Sequence, residues 1–93
     1  MSITQTYLGL KGAISAEFQS ALTASDALEL LRTGNERFLK ENPAKRARQA
    51  LLEGAASGQA PYAAVLGCID SRAPIEELFD AEIGDLFVAR VAG

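Results

Sequence analysis

An apolar run at residues 62–68 ends in Cys68 and is followed at once by a polar stretch that contains Asp70 and Arg72. The run has the length of a β-strand, and continuous apolarity is typical of a parallel strand that is covered on both faces. Because successive side chains of an extended backbone alternate between faces, we expect Cys68, Asp70 and Arg72 on one side and Ile69 in the core. This feature predicts an α/β fold with a group of polar side chains at the end of a buried strand.

The three polar groups at this strand end suit a metal site. A soft metal ion prefers a thiolate ligand, and a neighbouring guanidinium keeps a carboxylate ionised. Each residue alone also has an ordinary explanation. A lone cysteine such as Cys68 is usually a small buried apolar residue, and a pair such as Asp70 and Arg72 is usually a surface ion pair.

A second apolar stretch, residues 86–91, is predicted to be another strand. Between the two strands, Ser71 is a plausible N-cap and Pro74 lies near the start of a short helix. Strand, helix and strand in this order indicate a βαβ unit, and sites in open α/β sheets lie at the carboxyl ends of strands. Cys68 lies at one such end and Gly93 at the other.

The N-terminal half of the chain has helical patterns. Residues 1–12 look irregular because Gly9 and Gly12 interrupt them, and Thr23 or Ser25 could cap the longest helix. Apolar spacing predicts helices over three stretches, 13–22, 25–41 and 44–53. The predicted fold class is therefore α/β, with N-terminal helices followed by a βαβ unit of a mostly parallel sheet, in an incomplete domain.

Composition excludes several classes of protein. A chain of 93 residues is one domain at most, and its net charge of −3 gives no basic surface for nucleic acid. The apolar runs are too short to span a bilayer, and the N-terminus has no secretory signal pattern. One cysteine cannot form an intrachain disulfide, which fits a reducing compartment. We therefore expect a cytoplasmic location, with neither membrane nor nucleic acid as a partner.

The motifs taken together form a much more specific pattern. The chain carries C-I-D-S-R at residues 68–72, G-D-L-F-V-A-R-V-A-G at residues 84–93, and L-R-T-G-N-E-R-F at residues 31–38. This combination resembles the N-terminal portion of the bacterial β-class carbonic anhydrases, over roughly residues 25–93. The resemblance implies a Zn²⁺-dependent enzyme that hydrates carbon dioxide reversibly to bicarbonate and a proton, a carbonate dehydratase.

The resemblance also implies roles for individual residues. Cys68 matches the family's first zinc-ligand cysteine, and Asp70 and Arg72 match its Asp–Arg dyad. In the active arrangement of the family, the aspartate accepts a hydrogen bond from the zinc-bound water and the arginine orients it. In an inactive arrangement of some members, the aspartate is itself a zinc ligand, so Asp70 is a candidate for either role.

Further positions match the substrate side of the family's site. Gln59 matches a glutamine that often comes from across the dimer interface, and Phe87 matches an apolar residue of the carbon dioxide pocket. Ala92 and Gly93 match the backbone turn beside that pocket. Val91 departs from the family pattern, in which many members have asparagine.

The family's other two zinc ligands lie on a later H-x-x-C segment, whereas this sequence has no histidine and one cysteine. We therefore expect a complementary C-terminal segment to supply His and Cys ligands. The expected assembly is a homodimer or higher homo-oligomer. The expected division of the chain is an arm at 1–24, helices at 25–58 and a βαβ unit with half of the zinc site at 59–93.

Two alternatives to a carbonic anhydrase stay open. One is a related zinc hydrolase that resembles carbon disulfide hydrolase, because that family has a similar zinc core. The other is a non-catalytic, truncated oligomerisation module, which the missing ligands favour. The intact pair of Asp70 and Arg72 argues against the module, because a protein without zinc has no need of that pair.

Overall fold

A computed structural model describes residues 1–44 and 48–93. In chain order these residues form α1 (Ile3–Leu8), α2 (Ala16–Ala21), α3 (Ala24–Leu39), α4 (Arg48–Ala55), β1 (Ala63–Cys68), α5 (Ile75–Leu78) and β2 (Leu86–Val91). Helices therefore precede a β-α-β unit, and the predicted fold class is confirmed. None of the described helices has the length and apolar character that crossing a membrane requires.

The two strands pair in parallel, with Ala63 opposite Leu86 at one end and Cys68 opposite Val91 at the other. The bounds of β2 agree with the prediction, and β1 begins one residue later than predicted. Because both strands run in the same direction, Cys68 and the residues that follow β2 lie at the same edge of the sheet.

Within this chain the sheet is covered on one face. The inward side chains of β2 begin with buried Leu86, and Gly67 of β1 packs against Ile75 of α5. The opposite face is the exposed sheet face, which we define as Ala64, Leu66, Cys68, Phe87, Ala89 and Val91. Leu66 is 72% exposed and Val91 55%, so the prediction of a strand covered on both faces holds for one face of the described chain.

Buried polar groups connect α1 to the start of β2. The hydroxyl of Tyr7 donates a hydrogen bond to the carboxylate of fully buried Asp85, which also accepts the backbone N–H of Glu82 at 2.8 Å. The ring of Tyr62 meets that of Tyr7 edge-on, with centroids 6.0 Å apart. Burial, and then the negative charge of Asp85, raise the pKa of the Tyr62 hydroxyl.

Several helices differ from their predicted bounds. Helix α1 lies within the stretch expected to be irregular, where Ser2 and Gln5 form a capping box. Thr23 caps α3 as predicted, but Ser71 caps no helix, because α5 begins after Pro74. Helix α4 is described from Arg48 to Ala55 and extends two residues beyond the predicted 44–53 stretch, of which residues 45–47 lie outside the described part of the chain.

Candidate active site

Cys68 is the last residue of β1 and lies half-buried on the exposed sheet face. Its sulfur accepts the backbone N–H of Asp70 at 3.4 Å. That hydrogen bond, and then one from the backbone of Gly93, lower the pKa of the Cys68 thiol. The thiolate, which is the form that binds metal, is therefore favoured at this position.

Asp70 and Arg72 form a close ion pair next to this thiol. The Nη2 of Arg72 lies 2.6 Å from Oδ2 of Asp70, and its Nε lies 3.0 Å from Oδ1. The backbone N–H of Arg72 also donates to Oδ1 at 2.8 Å. The side-chain hydrogen bonds, followed by the backbone one, lower the pKa of the Asp70 carboxyl, so the group stays ionised further into acid.

A turn, rather than an extended strand, brings the pair together. The strand ends at Cys68, and the N–H of Ala73 then donates to the carbonyl of Asp70 at 3.1 Å. Because the backbone turns here, the alternation expected for Cys68, Asp70 and Arg72 ends at the first of them. The prediction that Ile69 enters the core is wrong, since its side chain is 61% exposed.

Arg90 also holds the turn together, although the sequence motifs did not predict this role. Its Nη1 donates to the carbonyl oxygens of Cys68 and Ala73, both at 3.1 Å, and so bridges the two ends of the turn. Its Nη2 lies 3.5 Å from a carboxylate oxygen of Glu76. A signal was present in the sequence, because a cation occupies an inward position of an otherwise apolar strand.

The residues matched to the substrate side lie at two separate places. Phe87 is 53% exposed on the same sheet face as Cys68, and Ala92 and Gly93 are exposed directly after β2. Gly93 has a φ of 111°, which glycine adopts readily. Gln59 is exposed before β1, so the length of that strand, on the order of 17 Å, separates it from Cys68.

The donors available to a metal are few within this sequence. Cys68 is the single cysteine, and there is no histidine. Among the described residues, no group of three or more Cys, Asp or Glu side chains lies close enough to ligate one ion. Cys68 and Asp70 are the donors that this chain offers next to the turn.

Comparison with known proteins gives one consistent result. Residues 63–93 match the family model described as carbonic anhydrase. "Carbonic anhydrase 2" of Mycobacterium tuberculosis is 43% identical over 68 residues, which cover 72% of this chain and 33% of that protein. "Carbonic anhydrase" of Mycolicibacterium smegmatis is 44% identical over 71 residues, with the same two shares covered.

This chain thus spans about a third of the length of the curated relatives it matches. The matched residues include the turn with Cys68, Asp70 and Arg72 and the whole of β2. These matches confirm the similarity of this chain to the N-terminal portion of the bacterial β-class carbonic anhydrases.

Proposed function

We propose that this chain contributes part of the active site of a zinc-dependent carbonate dehydratase, which hydrates carbon dioxide reversibly to bicarbonate and a proton. One observation carries the proposal: an Asp70–Arg72 ion pair lies directly beside a cysteine of lowered pKa, within residues that match carbonic anhydrases. A surface ion pair of this kind contributes little to stability, so its place next to the thiol favours a catalytic explanation.

The donor set fits zinc. Cys68 is half-buried at a strand end, and hydrogen bonds from backbone N–H groups favour its thiolate, which is a ligand that zinc prefers. Cys68 would bind the metal, and His and Cys residues from a complementary segment would complete the ligand set. When bound, zinc would lower the pKa of a water molecule enough for hydroxide to be available at neutral pH.

Asp70 and Arg72 would act on that water without binding the metal. In this structure Arg72 contacts both carboxylate oxygens of Asp70, which is the geometry that this role requires. The ionised carboxylate would accept a hydrogen bond from the water and orient it toward the carbon of carbon dioxide. Arg72 would keep the carboxylate ionised and fix its direction.

The substrate side would consist of apolar groups and one amide. Phe87 would pack against carbon dioxide, which has no net dipole, and the backbone at Ala92 and Gly93 would close the same side. Gln59 lies at the far end of β1, so we assign it to the site of a second subunit in a homodimer or larger homo-oligomer. Carbon dioxide and bicarbonate are then the small-molecule partners.

The apolar character of the exposed sheet face favours a further segment that would cover it. Leu66, Phe87 and Val91 are each more than half exposed on this face, and such a surface needs a covering layer. We propose that the His- and Cys-bearing segment packs here. The chain would then divide into an arm at 1–24, helices at 25–58 and a βαβ unit at 59–93, in a cytoplasmic enzyme.

The proposal is tested on the complete protein by zinc analysis and by stopped-flow assay of carbon dioxide hydration. Cys68→Ser should remove most of the zinc. Asp70→Asn should keep the zinc but lower turnover by about 10²- to 10⁴-fold, the range for general acid–base groups. Glu53→Gln, which neutralises an exposed carboxylate on α4, is the matched control and should change neither quantity.

Two results would overturn the proposal: a protein without zinc, or a normal hydration rate in the Asp70→Asn protein. The first result would favour the non-catalytic oligomerisation module, since the sequence lacks histidine and a second cysteine.

A further inference from the structure

Three residues of α3, Gly34, Asn35 and Arg37, contact residues 78–80, at the end of α5 and directly after it. The Nδ2 of Asn35 donates to the carbonyl oxygen of Leu78 at 2.8 Å. At Gly34, an added Cβ would lie 1.8 Å from the carbonyl oxygen of Phe79, so the two backbones approach closely there. This part of α3 therefore packs directly on residues 78–79.

The third contact is an ion pair. The Nε of Arg37 lies 2.6 Å from Oδ2 of Asp80, and the two side chains are 15% and 10% exposed. The same carboxylate oxygen accepts the backbone N–H of Ala44 at 2.9 Å. Asp80 has a φ of 46°, a left-handed conformation that is uncommon outside glycine but that aspartate adopts more readily than most residues. The ion pair joins α3 to the residue that follows the C-cap of α5.

Helix α5 follows directly after the turn that carries the ion pair of the candidate site. Arg72 is separated from the first residue of α5 by Ala73 and Pro74 alone. Ile75 packs so closely beneath β1 that its Cδ1 would lie 2.8 Å from a Cβ at Gly67, the residue before Cys68. A shift of this short helix would therefore move Arg72 relative to Cys68.

We infer that Asn35 and Arg37 are positioning residues for the Asp70–Arg72 pair and act through α5. Both contacts join α3 to residues 78–80 rather than to solvent. The inference rests on the proposed function where activity is the readout, but the position of the turn can also be measured without it. Because displacements near 1 Å at a reacting centre can cost 10²-fold in rate, a small shift of α5 is enough to matter.

The test compares three variants of the complete zinc-loaded protein: Arg37→Ala, Arg37→Lys and Arg32→Ala. Arg32 lies on the same helix and pairs with Glu29 and Glu36 in solvent, so its loss removes an equal charge without touching α5. One measurement is amide hydrogen exchange at residues 70–73, which include the N–H that Arg72 donates to Asp70. The other is the determination of kcat and KM individually for carbon dioxide hydration.

We expect Arg37→Ala to speed exchange at residues 70–73 by about tenfold or more and to lower kcat by about tenfold with KM little changed. Arg37→Lys should bring both the exchange at residues 70–73 and kcat most of the way back to wild type. Arg32→Ala should change neither quantity. Asn35→Ala, which removes one neutral hydrogen bond, provides a milder variant with the same direction of change if Arg37→Ala does not fold.

Faster exchange confined to residues 78–80, or a uniform increase over the whole chain, would overturn the inference, because either pattern indicates local or global destabilisation. If the protein has no hydratase activity at all, the proposed function fails. The exchange at residues 70–73 still decides the positioning role in that case.

Discussion

Arg72 and Asp70 differ sharply in their exposure to solvent. The Arg72 side chain is 88% exposed, whereas that of Asp70 is 35% exposed. Because solvent screens such a pair, it contributes little to stability. Its effect on function comes from the orientation and the ionisation of the Asp70 carboxylate. The planar guanidinium contacts both carboxylate oxygens, which a lysine ammonium cannot do in the same way.

The charge state of Asp70 leads to a prediction about pH. Arg72→Ala removes the side-chain hydrogen bonds, the largest cause of the lowered pKa of Asp70, and keeps the backbone one, so this pKa rises part of the way toward its ordinary value. If ionised Asp70 is needed for catalysis, the acid limb of the kcat/KM profile should move to higher pH. Arg72→Lys should move it less. An acid limb that is the same in wild type and both variants would contradict this role of Arg72.

The Cys68 thiol allows a second prediction that needs no catalysis. Hydrogen bonds from the backbone of Asp70 and Gly93 lower its pKa, so thiolate forms at lower pH than in an ordinary cysteine. In the metal-free complete protein, alkylation by iodoacetamide should reach its half-maximal rate below the usual thiol pKa. The same chain in denaturant should return to the ordinary midpoint. Equal midpoints in both states would disprove the effect.

At the residue scale, the sequence predicted which groups meet but not how they meet. The juxtaposition of Asp70 and Arg72 was predicted from strand alternation, whereas a turn produces it and leaves Ile69 exposed. The sequence places Arg90 as a cation in an apolar strand, but its acceptors could not be predicted, because they are two backbone carbonyls that approach each other after the turn has formed.

Among the elements, α3 approaches the backbone directly after α5 closely where the sequence has Gly34. Gly34→Ala would force apart two segments of backbone, because the clash is with the carbonyl oxygen of Phe79 and no flexible side chain can move aside. Overpacking of this kind costs about 1–3 kcal/mol. Urea unfolding of the complete protein should show that the free energy of unfolding falls by at least about 1 kcal/mol.

The matched control for this prediction is Gly12→Ala. A Cβ at Gly12 meets its nearest neighbour, the Ala50 carbonyl oxygen, at 3.8 Å, which is ordinary van der Waals contact. The Gly12 variant should therefore be close to wild type in stability. Equal losses in the two variants would show that the approach at Gly34 is not the cause.

Elements with a strong pattern were predicted well from the sequence. The long helix α3 with its Thr23 cap and the strand β2 agree with expectation, because apolar spacing and capping chemistry are local signals. Helix α1 was missed because Gly9 and Gly12 suggested a break. Its stability comes partly from Tyr7, whose partner Asp85 is distant in sequence, and local reasoning has no access to such a contact.

For the molecule as a whole, the exposed sheet face is the main constraint on behaviour. We expect the isolated chain of 93 residues to bind the dye ANS, to unfold with poor cooperativity and to lack hydratase activity. A two-stranded sheet with an apolar exposed face is marginal by itself. Addition of the complementary segment should displace the dye and restore both cooperative unfolding and activity.

A pair of variants makes this prediction specific to the face. Leu66→Glu places a charge at its centre and should prevent recovery when the segment is added. Leu52→Glu alters a leucine that is 48% exposed on α4, away from the face, and should allow recovery. An isolated chain that unfolds cooperatively, without dye binding, would contradict the prediction.

The contact between Tyr7 and Asp85 has a consequence for biosynthesis. These residues are 78 positions apart, so α1 emerges from the ribosome long before its acceptor exists. At synthesis rates of roughly 5–20 residues per second, the delay is on the order of 4–16 s. During this interval α1 can pack on α3, where the hydroxyl oxygens of Thr4 and Thr33 lie 3.1 Å apart, but its buried hydrogen bond to Asp85 forms only once synthesis has reached the start of β2.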